Sequence, residues 1–254
     1  MDFHVIIPAR FGSTRLPKKV LADINGKPMI QHVYERALES GASQVLIATD
    51  HDEVVQAAEQ FDAPVCMTSG SHQTGTERLV EAVSALECES NDIVIGLQAD
   101  EPFIPPAIIQ QLAENLIEHD HAKTATMATK LTDAAELFDP AIVKVILNHR
   151  GFAQYFSRAP IPWSRDQFDG LEGGALKQVE LASCYYRHIG IYGYRAGFLA
   201  SYEELNSSPY EKLESLEQLR VLWNGYRMHV GITDISVPAG VDTPEDLDRV
   251  RRLV

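Results

Sequence analysis

Short apolar runs alternate with stretches of helical periodicity through roughly the first 120 residues. Val5-Ile6-Ile7, ended by Pro8, has the uniform apolarity of a strand buried on both faces. Val45 to Thr49, a shorter run from Pro64 to Met67, and Asp92 to Gln98 repeat the signal. Between the first two runs, Asn25-Gly26 marks a turn and Pro28 sits at a first helical position. Ile30, Val33, Tyr34, Ala37 and Leu38 then recur at helical spacing until Gly41. Further helices are expected from about Asp52 to Gln60, from Gly75 to Leu86, and from Pro105 or Pro106 to about Glu118. This alternation predicts an α/β fold: a mostly parallel central sheet with helices on both faces.

The second half is less regular. Lys123 to Thr129, Val143 to Leu147, Ala153 to Ser157, Tyr185 to Tyr194 and Met228 to Ile232 read as strands, the fourth carrying aromatics at alternate positions. Residues 159–182, with two prolines and three glycines, read as a long loop or arm. Leu213 to Trp223 reads as one helix. Pro244 to Leu253 reads as a closing helix, with Thr243 as its N-cap and Glu245 and Asp246 favouring its first turn. No internal repeat or low-complexity tract interrupts the chain.

Composition narrows the function. The 254 residues, 45% hydrophobic, suffice for one large domain, or a main domain with a smaller lobe. A formal charge of −14 opposes binding to nucleic acid or to an anionic lipid surface. A small anionic ligand would need a locally assembled cluster of cations. Neither a signal peptide at the start nor an apolar run near the ~20 residues of a membrane helix is evident, so no membrane association is expected. Cys66, Cys88 and Cys184 make neither zinc spacing nor a disulfide framework, which fits a reducing cytoplasm.

Four segments could carry chemistry. Pro8 to Lys19 follows the first strand, where open α/β sheets place ligands. Arg10, Arg15, Lys18 and Lys19 put four cations beside the donors of Gly12-Ser13-Thr14, a combination suited to a polyphosphate. The segment is not a Walker A loop, and the chain contains no G-x-G-x-x-G. Gln98-Ala99-Asp100-Glu101-Pro102 places carboxylates at a strand's carboxyl end, suited to Mg²⁺ or, more plainly, to a helix cap. His72 to Arg78 offers a glycine for close backbone approach and an arginine within reach of a base carbonyl, or else ordinary caps at Thr74 or Thr76. Gly240 to Leu247 reads as a capped helix start in which Asp242 could supply a second metal ligand.

Together these segments resemble the cytidylyltransferases that activate acidic sugars, above all the 3-deoxy-manno-octulosonate (Kdo) cytidylyltransferase family. The resemblance rests on Ile6 to Lys19, Ala48-Thr49-Asp50, Gly75 to Arg78, Asp100-Glu101-Pro102, Tyr155 to Arg158, Ile161-Pro162-Trp163, Arg187 to Arg195, Leu216 to Arg220 and Gly240 to Leu247. They run from end to end in family order.

The resemblance implies one cytidylyltransferase domain over residues 1–254 with a smaller sugar-binding and dimerisation lobe at about 131–200, a projecting β-rich arm, and a homodimer. It implies CMP transfer from CTP to the anomeric hydroxyl of an octulosonate, with Mg²⁺ as cofactor, for lipopolysaccharide biosynthesis. Ala9, Arg10, Ser13, Lys19, Thr74, Gly75 and Arg78 would bind CTP, with Arg10, Arg15, Lys19 and Asp100 catalytic. Asp100 and Asp242 would hold the metal, and Gln98, Arg158, His188, Tyr192, Glu217 and Gln218 would surround the sugar. The family usually has glycine where this chain has Ala99, a methyl expected to crowd the sugar pocket or tilt Gln98. Kdo or its 8-amino-3,8-dideoxy analogue would both fit. Rival readings are activation of a nonulosonic acid or sugar phosphate, a non-catalytic nucleotide sensor, and a dehydrogenase, the last opposed by the missing glycine fingerprint.

Overall fold

The structure is a computed structural model that describes residues 2–13, 15–72, 74–169 and 179–253. Its centre is β1 (Phe3–Ala9), buried along its whole length. Val5 and Ile7 enter the core on one face of the sheet and Ile6 the core on the other, which is why the run is apolar without alternation. β1 pairs in parallel with β4 (Gln44–Thr49) on one side and β6 (Ile93–Gly96) on the other. β5 (Val65–Met67) extends the sheet in parallel beyond β4. Beyond β6 comes β10 (Tyr186–Arg195), antiparallel to β6 and to β7 (Thr124–Lys130). β11 (Met228–Ile232) closes that edge in parallel with β7. β8 (Lys144–Leu147) and β9 (Ala153–Ser157) form an antiparallel extension attached through β10.

Helices cover both faces, as the alternation predicts. α1 (Met29–Glu39), α2 (Asp52–Glu59) and α4 (Pro106–Glu118) pack over Val5, Ile7, Val45 and Ile95. α3 (Gly75–Val83), α7 (Ala196–Ala200) and α9 (Leu219–Trp223) pack over Ile6, Leu46, Ala48 and Val94. Short helices α5 (Ala134–Phe138) and α6 (Arg165–Phe168) frame a satellite core of Leu131, Leu137, Phe168 and Tyr185. Of the expected arm at 159–182, residues 170–178 lie outside the described part.

Local departures from the sequence reading have physical causes. Asn25 (φ 51°) and Gly26 (φ 86°) form the left-handed pair of a two-residue hairpin turn joining β2 (Asp23–Ile24) to β3 (Lys27–Pro28). The pairing of Pro28 with Asp23 holds it extended, so it caps α1 rather than opening it. Leu213 to Trp223 is not one helix. α8 (Pro209–Glu214) ends at Ser215 in the left-handed conformation (φ 53°), and α9 begins only at Leu219. Periodicity alone misses the break because Leu216 within it and Leu219 just after it are both buried. Three hydrogen bonds of 2.6 to 3.1 Å from Arg220 to Glu211 fasten the two pieces together. The closing helix, α10 (Pro244–Arg251), has the expected Thr243 cap, reciprocated by Asp246 in a capping box.

Candidate active site

The carboxyl ends of β1 and β6 and the start of α3 converge on a cavity of about 270 Å³. Its first wall is the loop after β1, where Arg10 Nε donates to the Gly12 carbonyl at 3.0 Å. Lys18, held at φ 55°, turns the chain into a short 3₁₀ segment, Lys19–Leu21. Val20 enters the core there, while Lys19 reaches the carboxylates. Lys19 Nζ donates to Asp100 Oδ2 at 2.6 Å and to Asp242 Oδ1 at 3.0 Å. Burial alone would lower the Lys19 pKa, but the two carboxylates outweigh it and hold the ammonium above its usual range. Arg15 meets Asp242 at 3.0 Å from the solvent side.

Asp100 and Asp242 lie far apart in sequence and are brought together by backbone. The Val241 amide donates to the Asp100 carbonyl at 2.9 Å. Gly240 permits this approach, since a Cβ there would stand 3.0 Å from Glu101 Oε1 and 3.1 Å from the Asp100 carbonyl. Burial first, and the neighbouring Asp100 and Asp242 second, push the Glu101 carboxyl up to about 8. At neutral pH it is therefore mostly protonated, leaving Asp100 and Asp242 as the anionic pair. Two carboxylate oxygens converging on one cationic group, beside an open cavity, is a donor set suited to a hard divalent ion completed by water and phosphate oxygens.

The second wall is α3. Thr74 caps it by accepting from the Glu77 amide at 3.2 Å. Gly75 and Arg78 line the cavity from its first turn. Arg78 is 1% exposed, and Asp50 Oδ2 accepts from its NH2 at 2.9 Å while Thr68 accepts from its NH1. Asp50 Oδ1 also accepts from the Phe11 amide at 3.1 Å, so one carboxylate ties the β1 loop to α3. Asp50 is the residue the sequence reading left without a role. Its signal was there, in an aspartate directly following the β4 run, but nothing in spacing pairs it with Arg78. Ala9, expected at CTP, is fully buried in the core with its carbonyl accepting from Thr49, and its side chain is not among those lining this cavity.

A second cavity of about 320 Å³ adjoins the first, and Gly75 and Gln98 line both. Its far wall comes from β10. Ile189 pairs with Met127 and Tyr192 with the adjacent Thr126, so Gly190 and Ile191 bulge out of the ladder. Two extra residues preserve the parity of the strand, which keeps His188, Tyr192 and Tyr194 on the cavity side. The Thr126 hydroxyl fills the gap, 2.7 Å from the Ile191 carbonyl and 2.9 Å from His188 Nε2. Burial drives His188 down to about 3, so its imidazole is neutral at working pH.

The break between α8 and α9 supplies the remaining side chains. Burial raises the Glu217 carboxyl, opposed by hydrogen bonds from Thr76 and Thr74. Thr76 Oγ1 donates to Glu217 Oε2 at 2.9 Å. Gln218 lines the cavity, is 5% exposed, and its Nε2 finds no acceptor among the described residues. A buried donor without a protein partner beside a cavity is a site for a ligand oxygen. Arg158 is not brought to either cavity: its Nε donates to the Glu214 carbonyl at 2.8 Å and its NH1 to the Pro140 carbonyl at 3.0 Å. Ala99 lines the first cavity and packs in the core, away from the second.

Residues 4–232 match the family model described as Cytidylyltransferase. The chain belongs to the cytidylyltransferase family. Within that family it is 55% identical over 251 residues to a 3-deoxy-manno-octulosonate cytidylyltransferase of Coxiella burnetii (strain Dugway 5J108-111), covering 99% of each chain. It is 53% identical over 255 residues to that of Pasteurella multocida (strain Pm70), covering 100% of this chain and 98% of the other. A solved CMP:2-keto-3-deoxy-manno-octonic acid synthetase complexed with CTP superposes with a TM-score of 0.87 at 42% identity, over 99% of this chain and 97% of that one. No helix among the described residues of this cytidylyltransferase is long and apolar enough to cross a membrane.

Proposed function

We propose that this cytidylyltransferase transfers CMP from CTP to the anomeric hydroxyl of Kdo and releases pyrophosphate, supplying an activated sugar for lipopolysaccharide biosynthesis. The observation that carries the reading is the pair of adjoining cavities sharing Gly75 and Gln98, one cationic with two carboxylates and the other rich in neutral donors. A triphosphate and a sugar held one in each would meet at that shared wall.

In this reading Arg10, Ser13 and Lys19 hold the phosphates, and Thr74, Gly75 and Arg78 hold the cytosine end. The anomeric oxygen bonds to the α-phosphorus, the bond from that phosphorus to the bridging oxygen of pyrophosphate breaks, and the hydroxyl proton leaves to solvent. Arg10, Arg15 and Lys19 offset the charge growing on the pyrophosphate, while the cavity walls fix both reactants in line. Asp100 and Asp242 would hold Mg²⁺, which when bound polarises the α-phosphate and favours deprotonation of the nucleophile. Gln98, His188, Tyr192, Glu217 and Gln218 surround the sugar, with His188 acting as a neutral hydrogen-bonding group rather than a proton shuttle. Arg158 would join them only by exchanging its present carbonyl partners for the sugar carboxylate. The chain would work in the cytoplasm as a homodimer, with 131–200 as its sugar-binding and dimerisation lobe.

Kdo is the sugar favoured in this reading over its 8-amino analogue, since the similar proteins are 3-deoxy-manno-octulosonate cytidylyltransferases and Ala99, the residue that raised the analogue, does not line the second cavity. Pyrophosphate release with CTP and Mg²⁺ tests this with Kdo, the analogue and a nonulosonic acid in separate reactions. The highest kcat/KM is expected with Kdo; a higher value with either other sugar overturns the assignment.

A further inference from the structure

Thr76 lines the second cavity beside Gly75, which lines both. It lies one residue beyond Gly75 in the first turn of α3, the turn that also delivers Arg78 to the nucleotide side. Thr76 itself faces the other way, 8% exposed, and lines the second cavity. Its Oγ1 donates to Glu217 Oε2 at 2.9 Å. A carboxylate only accepts, so the threonine hydroxyl is the donor. That bond points the carboxylate at a fixed place on the cavity wall.

Glu217 needs such a fixing. It stands in the short non-helical link that follows the left-handed Ser215, so no helix sets its side-chain direction. Its backbone carbonyl accepts from the Arg220 amide at 3.1 Å and from the Tyr202 hydroxyl at 3.4 Å, which anchors the main chain but not the carboxylate. The side chain is instead held from α3, across 141 residues of sequence.

We propose that Thr76 is a positioning residue: it orients the Glu217 carboxylate toward the sugar hydroxyls and so sets sugar affinity from the element that binds the nucleotide. This deepens the Kdo reading and rests on it.

Steady-state kinetics of wild type, Thr76→Val, Thr76→Ser and Glu217→Gln test it, with thermal melts to confirm folding. Valine keeps the branched shape and removes the hydroxyl. KM for Kdo is expected to rise about tenfold in Thr76→Val, the scale of a lost hydrogen bond to a charged group, with KM for CTP within about twofold of wild type. Serine is expected to restore the Kdo value. The double variant Thr76→Val/Glu217→Gln should be little worse than Glu217→Gln alone. Thr76→Ala, which also removes the hydroxyl, should give a rise of the same kind and serves if Thr76→Val melts early. Wild type without turnover on Kdo sinks the sugar reading and this inference with it. Active wild type with an unchanged Kdo KM in Thr76→Val, or with equal rises for Kdo and CTP, overturns the inference alone.

Discussion

At the scale of single residues, the proposed mechanism places its chemistry on Lys19 and Asp100. Lys19 sits at the centre of the anionic pair, 2.6 Å from Asp100 and 3.0 Å from Asp242. Its proposed role in the reaction is to neutralise phosphate charge in a partly dry site, where one aimed donor is worth about 10²- to 10³-fold in rate. Lys19→Ala is expected to weaken CTP binding and slow turnover together, and an unchanged kcat/KM would remove it from the phosphate site. Asp100→Asn keeps the shape and removes the charge. Turnover is expected to vanish while CTP binding, followed by calorimetry, falls only modestly; retained turnover would take Asp100 out of the metal site. Legibility at this scale divides by contact type. The loop from Arg10 to Lys19 stood out because four cations crowd into ten residues of an acidic chain. Glu217, Gln218 and His188 had no such signal, since each is polar among ordinary neighbours and only resemblance singled them out. Asp50 was missed because its meaning lies in bridging Phe11 and Arg78, two residues that only folding brings together.

At the scale of elements, periodicity predicted strands and long helices and failed where tertiary contacts overrode it. β1 and α4 were legible because a buried central strand and a long amphipathic helix each impose a pattern over many residues. The break between α8 and α9 was not, because one left-handed serine costs only about 1–2 kcal/mol and leaves no mark on the apolar spacing. That same break forms part of the second cavity, so the local failure and the site coincide.

The join between α4, β11 and the loop at Gly151 makes a pH-sensitive seam. The His119 and His229 rings stack with centroids 3.5 Å apart, Phe152 meets His229 edge-on, and His229 Nε2 pairs with the Arg150 carbonyl. Burial first, and His119 second, lower His229 from 6.5 to about 4. Between those values the unfolded chain takes a proton that the folded chain refuses, so stability contributed by this site falls as pH drops across that window. The melting temperature of His229→Phe, which retains the stacking surface, is therefore expected to depend less on pH between 7 and 4.5 than that of wild type. Equal slopes would mean His229 does not titrate in the folded seam as described.

At the scale of the whole molecule, a chain of net charge −14 builds one cationic cavity and sets it beside one lined by tyrosines, His188, Gln218 and Glu217. The α/β class and the position of the site followed from alternation and from where such sheets leave their strand ends open. The antiparallel insertion of β10 between β6 and β7 did not, because strand order depends on packing between segments distant in sequence. That insertion is what brings the second-cavity residues of β10 next to the first-cavity residues at the start of α3 and the end of β6.

The central claim is that those two cavities perform one reaction, and pyrophosphate release measured with CTP, Mg²⁺ and Kdo tests it most directly. Release that requires Kdo, with one CMP-linked Kdo formed per pyrophosphate, is the expected result. A folded protein that binds CTP yet releases no pyrophosphate with Kdo, or releases it equally without any sugar, would contradict the account.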